Sequence, residues 1–201
     1  MIGGLPLGMP HLIAAPILLP LLSAALMLLM GERRRPWKAL INVAASLGGL
    51  VVAVLLLRWV DGDGAFGDGA SGAIGTIGVY LPSNWQVPFG IVLVVDRLSA
   101  LMLVVTALVS LACVLFSVAR WQRAGVHFHP LFQLQLMGLN GAFLTADLFN
   151  LFVFFEVMLV ASYGLLLHGS GRARVHAGLH YIAVNLLASS LFLMESPCST
   201  A

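Results

Sequence analysis

The residue with the most chemical consequence in this sequence is Glu156, set in the run LFNLFVFFEVMLVASYGLLL. Over residues 148–168 it lies within about two residues, or roughly 3 Å, of the middle of a stretch long enough to cross a bilayer. An ionised carboxylate at that depth costs on the order of 2.5 kcal/mol or more. Two readings are open. One is an uncharged glutamate hydrogen-bonded to a neighbouring helix. The other is a protonatable group on an ion path, loaded and unloaded as a partner charge moves. The second reading needs a cation inside the bilayer, and the sequence offers none. Lys38 is the single lysine and is expected in a loop, and every arginine is expected at or beyond a span end.

Other polar residues could extend such a path. Tyr163 is seven residues beyond Glu156, on the same helical face. Upstream, Gln133 and Asn140 share a face by the same spacing, either as wet lining or as interhelical hydrogen bonds. His176 and His180, four apart, could pass protons near one end of their span, or simply be polar lining. Zinc would need further ligands, and no HExxH glutamate accompanies them, so no metal is expected. His127 and His129 are expected as exposed loop residues. Asp147 and Asn150 stand where a helix must begin, and the expected role is capping. Gly48-Gly49 suggests close helix packing, and Pro16 and Pro20 would bend a helix unless neighbours satisfy the freed carbonyls.

The elements that hold these residues follow from composition. The chain has 201 residues, 60% hydrophobic and 9% charged, with a mean hydropathy of +1.01. That excludes a soluble enzyme. A net charge of +2, thinly spread, excludes a nucleic-acid binder. Two cysteines, Cys113 and Cys198, make no disulfide framework. Apolar runs predict an all-α, polytopic transmembrane bundle with about six spans, near 12–30, 39–60, 98–119, 130–146, 148–168 and 175–194. The apolar sequence over 128–167 would be about 60 Å long as one helix, twice the bilayer, so it must fold back at Thr145-Ala146-Asp147.

Arg33, Arg34, Arg35, Lys38, Arg120, Arg123, Arg172 and Arg174 fall on alternate connections, and Arg58 and Arg97 on the others. This asymmetry predicts an outside N-terminus. The long connection opens with DGDGAFGDGASG, a solvated linker with Gly72 where a calcium loop would need glutamate. It continues through IGVYLP and VPFGIVLVV, which predict a short hairpin on the outer surface, turning near Ser83-Asn84-Trp85. The organisation expected is 1–60 for spans one and two, 61–97 for the periplasmic linker and hairpin, 98–194 for spans three to six, and 195–201 for a polar tail.

The stretches VPFGIVLVVDRLSALMLVVTALVSL and HFHPLFQLQLMGLNGAFLTADLFNLFVFFEVMLVASYGLLLHGSGRARVHAGLHYIAVNLLASSLFL resemble the D subunit of Mrp-type multisubunit sodium/proton antiporters. That protein is similar in turn to the antiporter-like membrane subunits of respiratory complex I. The resemblance covers roughly 80–193 strongly and the first two spans in general character. It implies a fourteen-helix subunit with two inverted repeats, each holding a broken helix. This chain would be its N-terminal part: three leading helices and the first three of repeat one.

In that family a fifth-helix glutamate, matched here by Glu156 in VFFEV, pairs with a lysine on the seventh helix. The expected function is proton exchange for sodium or another monovalent cation across a bacterial inner membrane, with other antiporter subunits as partners and no cofactor. The alternative is the proton-pumping membrane subunit of an NADH-quinone oxidoreductase. Either way this chain does no redox chemistry. The tail Glu195-Ser196-Pro197-Cys198-Ser199-Thr200-Ala201 departs from the family's apolar continuation, and a truncated product, inactive by itself, is expected.

Overall fold

The computed structural model describes residues 9–31, 35–61, 77–81, 91–120, 127–168 and 172–195. The tail at 196–201 and the hairpin turn lie outside the described residues. In chain order the elements are α1 (Met9–Leu29), α2 (Arg35–Asp61), β1 (Gly78–Tyr80), β2 (Leu93–Val95), α3 (Arg97–Arg120), α4 (Phe128–Leu144), α5 (Leu148–Leu166) and α6 (Arg172–Glu195). The main packing pairs are α1 with α2 and α4, α2 with α3, and α4 with α5, while α6 packs chiefly on α5. The chain is a polytopic membrane helical bundle.

The side-chain distribution is that of a protein dissolved in hydrocarbon. Along α3, Ser99 faces inward, and so do Ala100, Leu103, Ala107, Ser110, Val114 and Ser117 at alternating spacings of three and four. Leu98, Leu101, Val105, Leu108, Val109, Leu115 and Phe116 face out. Small and hydroxyl side chains inside, with large aliphatic ones outside, bring backbones close while lipid covers the rest. Two of the inward serines turn their hydroxyls back on the chain just before them, Ser99 donating to Asp96 O at 3.1 Å and Ser110 to Ala107 O at 2.9 Å.

His11–Leu29, Pro36–Asp61, Arg97–Ala119 and Leu148–Leu166 are each long and apolar enough to cross a membrane. The other two expected spans are helical as well: α4 has 17 residues, about 25 Å, and α6 has 24, with an apolar stretch that includes Gly178–Leu191. α4 is enclosed by α1, α2, α3 and α5, so its polar residues meet protein and not lipid.

The expected hairpin is present. β1 and β2 pair antiparallel, with Gly78 opposite Val95 and Tyr80 opposite Leu93. It is set deeper than a surface hairpin. Leu93 and Val95 belong to the apolar core, together with Ile13, Leu56, Val60, Leu103 and Leu144. That core fills the hairpin end of the bundle. β2 also ties down the α4–α5 turn: Leu93 bridges Thr145, and Ala146 N donates to Val92 O at 3.1 Å. The chain reverses at Thr145–Asp147, where the length of the apolar run required it.

Glycines set the closest helix approach, though not at Gly48-Gly49. A Cβ on Gly49 would meet open space, and one on Gly48 only the tip of Leu19. On α4, a Cβ on Gly138 would lie 2.9 Å from Met158 N and Phe154 O, and Gly141 lies under the Phe154 ring. The tight contact is α4 against α5.

Candidate functional site

Glu156 is the ninth of the nineteen residues of α5, and that helix is fixed at its start and along one side. Asp147 is its N-cap, its carboxylate accepting from Phe149 N and Asn150 N, each at 3.4 Å, and Asn150 Nδ2 braces the same carboxylate at 3.0 Å. The cap satisfies N–H groups that an α-helix start leaves open. Phe154 and Met158 lie against α4 at Gly138 and Gly141, and Gly164 lies against Leu131. With about 100° per residue, Glu156 stands about 160° from Phe154 and Met158 and about 80° from Gly164, on the side of α5 turned from the Gly138 and Gly141 contacts.

Tyr163 shares that side and reaches α6, its ring 3.1 Å from where a Cβ on Gly178 would be. Ser162 Oγ and Tyr181 Oη are 3.0 Å apart. These antiparallel contacts put Glu156 roughly level with Leu187, where α6 presents no ionisable side chain. Glu156 Oε1 is shielded from solvent and has no hydrogen-bond partner among the described residues.

The remaining candidates do not converge on it. The His176 and His180 rings lie with centroids 5.0 Å apart and planes tilted by 58°, on an exposed part of α6, and no group of three or more His, Cys, Asp or Glu is gathered among the described residues. Gln133 and Asn140 do share a face, but it points from α4 toward α1 and α2. Gln133 Nε2 donates to Asn42 Oδ1 at 2.6 Å, and Asn140 Nδ2 to Pro16 O at 2.9 Å. Both line one cavity with Ser46, Thr106 and Ser110. α4 thus separates two polar regions, one around Glu156 and one around Gln133.

The second region corrects two expectations. Lys38 is not in a loop: it is the fourth residue of α2 and only 3% exposed. His129 is not an exposed loop residue either. It lies in the first turn of α4, 6% exposed, with Nδ1 accepting from Asn42 Nδ2 at 2.9 Å. The signal was present in the spacing, since Lys38, Asn42 and Ser46 recur every four residues on α2, and His129 precedes Gln133 by four on α4. Read as loop content, neither pair could be matched to the other. Beyond α5, burial is the main cause holding His168 below the ordinary histidine pKa, with His127 adding repulsion.

The two bundle ends are also chemically distinct. Asp61, Asp96, Arg97 and Asp147 gather with the hairpin, where Arg97 Nε donates to Asp61 Oδ1 at 2.6 Å. The opposite end holds the start of α2 with Arg35 and Lys38, the end of α3 with Arg120, and the start of α6 with Arg172 and Arg174. This is the segregation that orients helices in membranes.

No protein-family model matches the chain. It is 56% identical, over 92% of its length, to a Rhizobium meliloti protein named as the probable D subunit of a K(+)/H(+) antiporter, and covers 33% of it. It is 36% identical over the same share to the D subunit of an Na(+)/H(+) antiporter of Alkalihalophilus pseudofirmus, covering 36%. Among solved structures, a chain of the Mrp complex from Dietzia sp. superposes with a TM-score of 0.76 at 36% identity, covering 92% of this chain and 33% of that one. A chain of the membrane-bound sulfane sulfur reductase, an archaeal respiratory membrane complex, follows at 0.72 and 26%, covering 91% and 35%. The chain spans about a third of the length of the relatives it matches. By sequence and by fold, the chain is similar to about a third of the length of the D subunits of multisubunit cation/proton antiporters and of a chain of the Mrp complex.

Proposed function

We propose that this chain is part of a subunit that exchanges protons for a monovalent cation across a bacterial inner membrane, with Glu156 as its mid-membrane proton-relay acid. The observation that carries this reading is the carboxylate itself: near the centre of a membrane helix, with one oxygen shielded and without a partner among the described residues. Such a group is retained at a cost of a few kcal/mol and marks ion paths in membrane proteins. Its face of α5 turns toward α6 and away from α4, so a cation that controls its proton would come from protein beyond this third of the subunit.

On this reading the chain alone does not transport, and it works with the other antiporter subunits of a hetero-oligomeric complex. Tyr163, and beyond it His176 and His180, extend the proton route along the α5–α6 side. The basic end faces the cytoplasm, and the N-terminus and hairpin face outward, in accord with the charge segregation.

Sodium is the cation the family resemblance implies. Potassium is the second reading, favoured by the name of the 56%-identical relative. The test is proton flux in everted vesicles carrying the complete subunit with its partner subunits, driven in turn by sodium and by potassium. Glu156→Gln and Glu156→Ala abolish exchange on this reading. Normal exchange in a mutant complex that assembles overturns the role of Glu156, and the preferred cation is read from the unmutated complex.

A further inference from the structure

The region between α2 and α4 is a second titratable system, independent of Glu156. Asn42 donates through Nδ2 to His129 Nδ1 at 2.9 Å, and Gln133 donates through Nε2 to Asn42 Oδ1 at 2.6 Å. All three side chains are buried. In this arrangement His129 Nδ1 is an acceptor, so the neutral ring carries its hydrogen on Nε2. Nδ1 cannot bind a proton while Asn42 still points a donor at it. Protonation requires the Asn42 amide to turn over so that Oδ1 accepts from Nδ1–H. That turn aims Asn42 Nδ2 at Gln133, whose amide must also reverse and offer Oε1. Each state holds both side-chain hydrogen bonds of the triad, and a change of one proton reverses both. The reversal loses the two longer bonds, each 3.4 Å, that Gln133 Nε2 also donates to Asn42 O and Ser46 Oγ.

Gln133 forms part of the wall of the cavity enclosed by α1, α2, α3 and α4, where Ser46, Ser110, Thr106 and Asn140 add polar groups. The space is sufficient for a water molecule, and these groups can hydrogen-bond one. Reversal of the Gln133 amide therefore exchanges a donor for an acceptor at the edge of that space.

We propose that His129, Asn42 and Gln133 form a two-state hydrogen-bond relay that converts protonation of His129 Nδ1, at the basic end of the bundle, into reversal of the Gln133 amide at a buried water site. The ligands are a proton at one end and water at the other. No covalent bond breaks: one solvent proton is taken up at Nδ1 and two amides rotate. The ionisable groups that face His129 are Lys38 from α2 and His168 from the end of α5, with His127 two residues before it. The histidine of α1, His11, is at the opposite end, 3.2 Å from Tyr80 Oη.

The test is nuclear magnetic resonance on the 201-residue chain in lipid nanodiscs, labelled with 15N at histidine, asparagine and glutamine side chains. At high pH His129 shows the Nε2–H tautomer. As pH falls from about 9 to about 4, the Gln133 amide resonances move with the same midpoint as His129. In Asn42→Leu, His129 still titrates and the Gln133 response disappears. Gln133 resonances that stay fixed while His129 titrates overturn the relay, as does a His129 that keeps one protonation state throughout. A Gln133 response that persists in folded Asn42→Leu overturns the part assigned to Asn42. The comparison of midpoints in the unmutated chain stands even if that variant does not fold.

Discussion

Asn140 Nδ2 donates to the carbonyl oxygen of Pro16 at 2.9 Å, and that oxygen is available because residue 20 of the same helix is also proline. An α-helix would bond Pro16 O to the N–H of residue 20, and proline has none. The carbonyl freed inside α1 is therefore satisfied from α4. Asn140→Leu should destabilise the bundle by about 1–2 kcal/mol, because it leaves a buried carbonyl without a donor. Pro20→Ala restores the missing N–H, so Asn140→Leu should cost less in that background. Reversible unfolding in mixed micelles across the double-mutant cycle measures the coupling, and additive effects would contradict it.

The α4–α5 contact is limited by backbone at Gly138, where an added methyl meets Met158 N and Phe154 O at 2.9 Å. Neither atom can move without separating the helices. Gly138→Ala should cost about 1–3 kcal/mol through overpacking. Gly49→Ala, which meets open space, should be neutral or stabilising by up to about 1 kcal/mol, through its better helix propensity. Thermal unfolding of the two variants side by side checks the contrast.

The start of α3 carries a pH-dependent cap. Asp96 Oδ1 accepts from Ser99 N at 2.7 Å, and Ser99 Oγ accepts from Asp96 N at 2.9 Å. The hydrogen bond from Ser99 is the main cause holding the Asp96 carboxyl below its usual value of 3.8. A depressed folded-state pKa gives stability that is present above the unfolded pKa and lost as pH falls through the folded one. Asp96→Asn should therefore be less stable than the unmutated chain at neutral pH. The gap should narrow as pH falls below 3.8. Denaturant titrations at several pH values read this directly, and a gap that does not change with pH would refute it.

Asp147 begins the helix that carries Glu156, and both of its carboxylate oxygens are engaged. Asp147→Ala should cost about 1 kcal/mol, and Asp147→Asn or Asp147→Ser much less, since each keeps an oxygen for the cap. Hydrogen exchange of Phe149 and Asn150 amides is the local readout. Faster exchange confined to that turn is expected in Asp147→Ala.

How much of this was legible depended on whether a property was local. The chain reversal at Thr145–Asp147 was legible because a bilayer has a fixed thickness and the run was twice as long. The Asp147 cap site was legible because only a few residue types accept backbone N–H groups at a helix start. Glu156 stood out because charge is expensive at mid-span, whatever surrounds it. Lys38 and His129 were not legible because helix ends are the least certain part of any sequence reading. A shift of the α2 and α4 starts by a few residues moves both from loop to interior. The close glycines were hidden because distance between helices depends on which faces meet, and Gly48-Gly49 has the same composition as a tight contact yet meets only the tip of Leu19 and open space.

The sequence by itself thus determined the solvent, the number and rough extent of the helices, the charge asymmetry of their ends and the one costly acid. Those properties follow from each residue's own transfer energy and from helical period. The tertiary structure decided which side of α4 each polar residue serves, and so separated Gln133 and Asn140 from Glu156. It also matched Asn140 to Pro16 and His129 to Asn42. Such pairings join residues 124 and 87 positions apart, and their partners are fixed by how the faces pack, which no local spacing encodes.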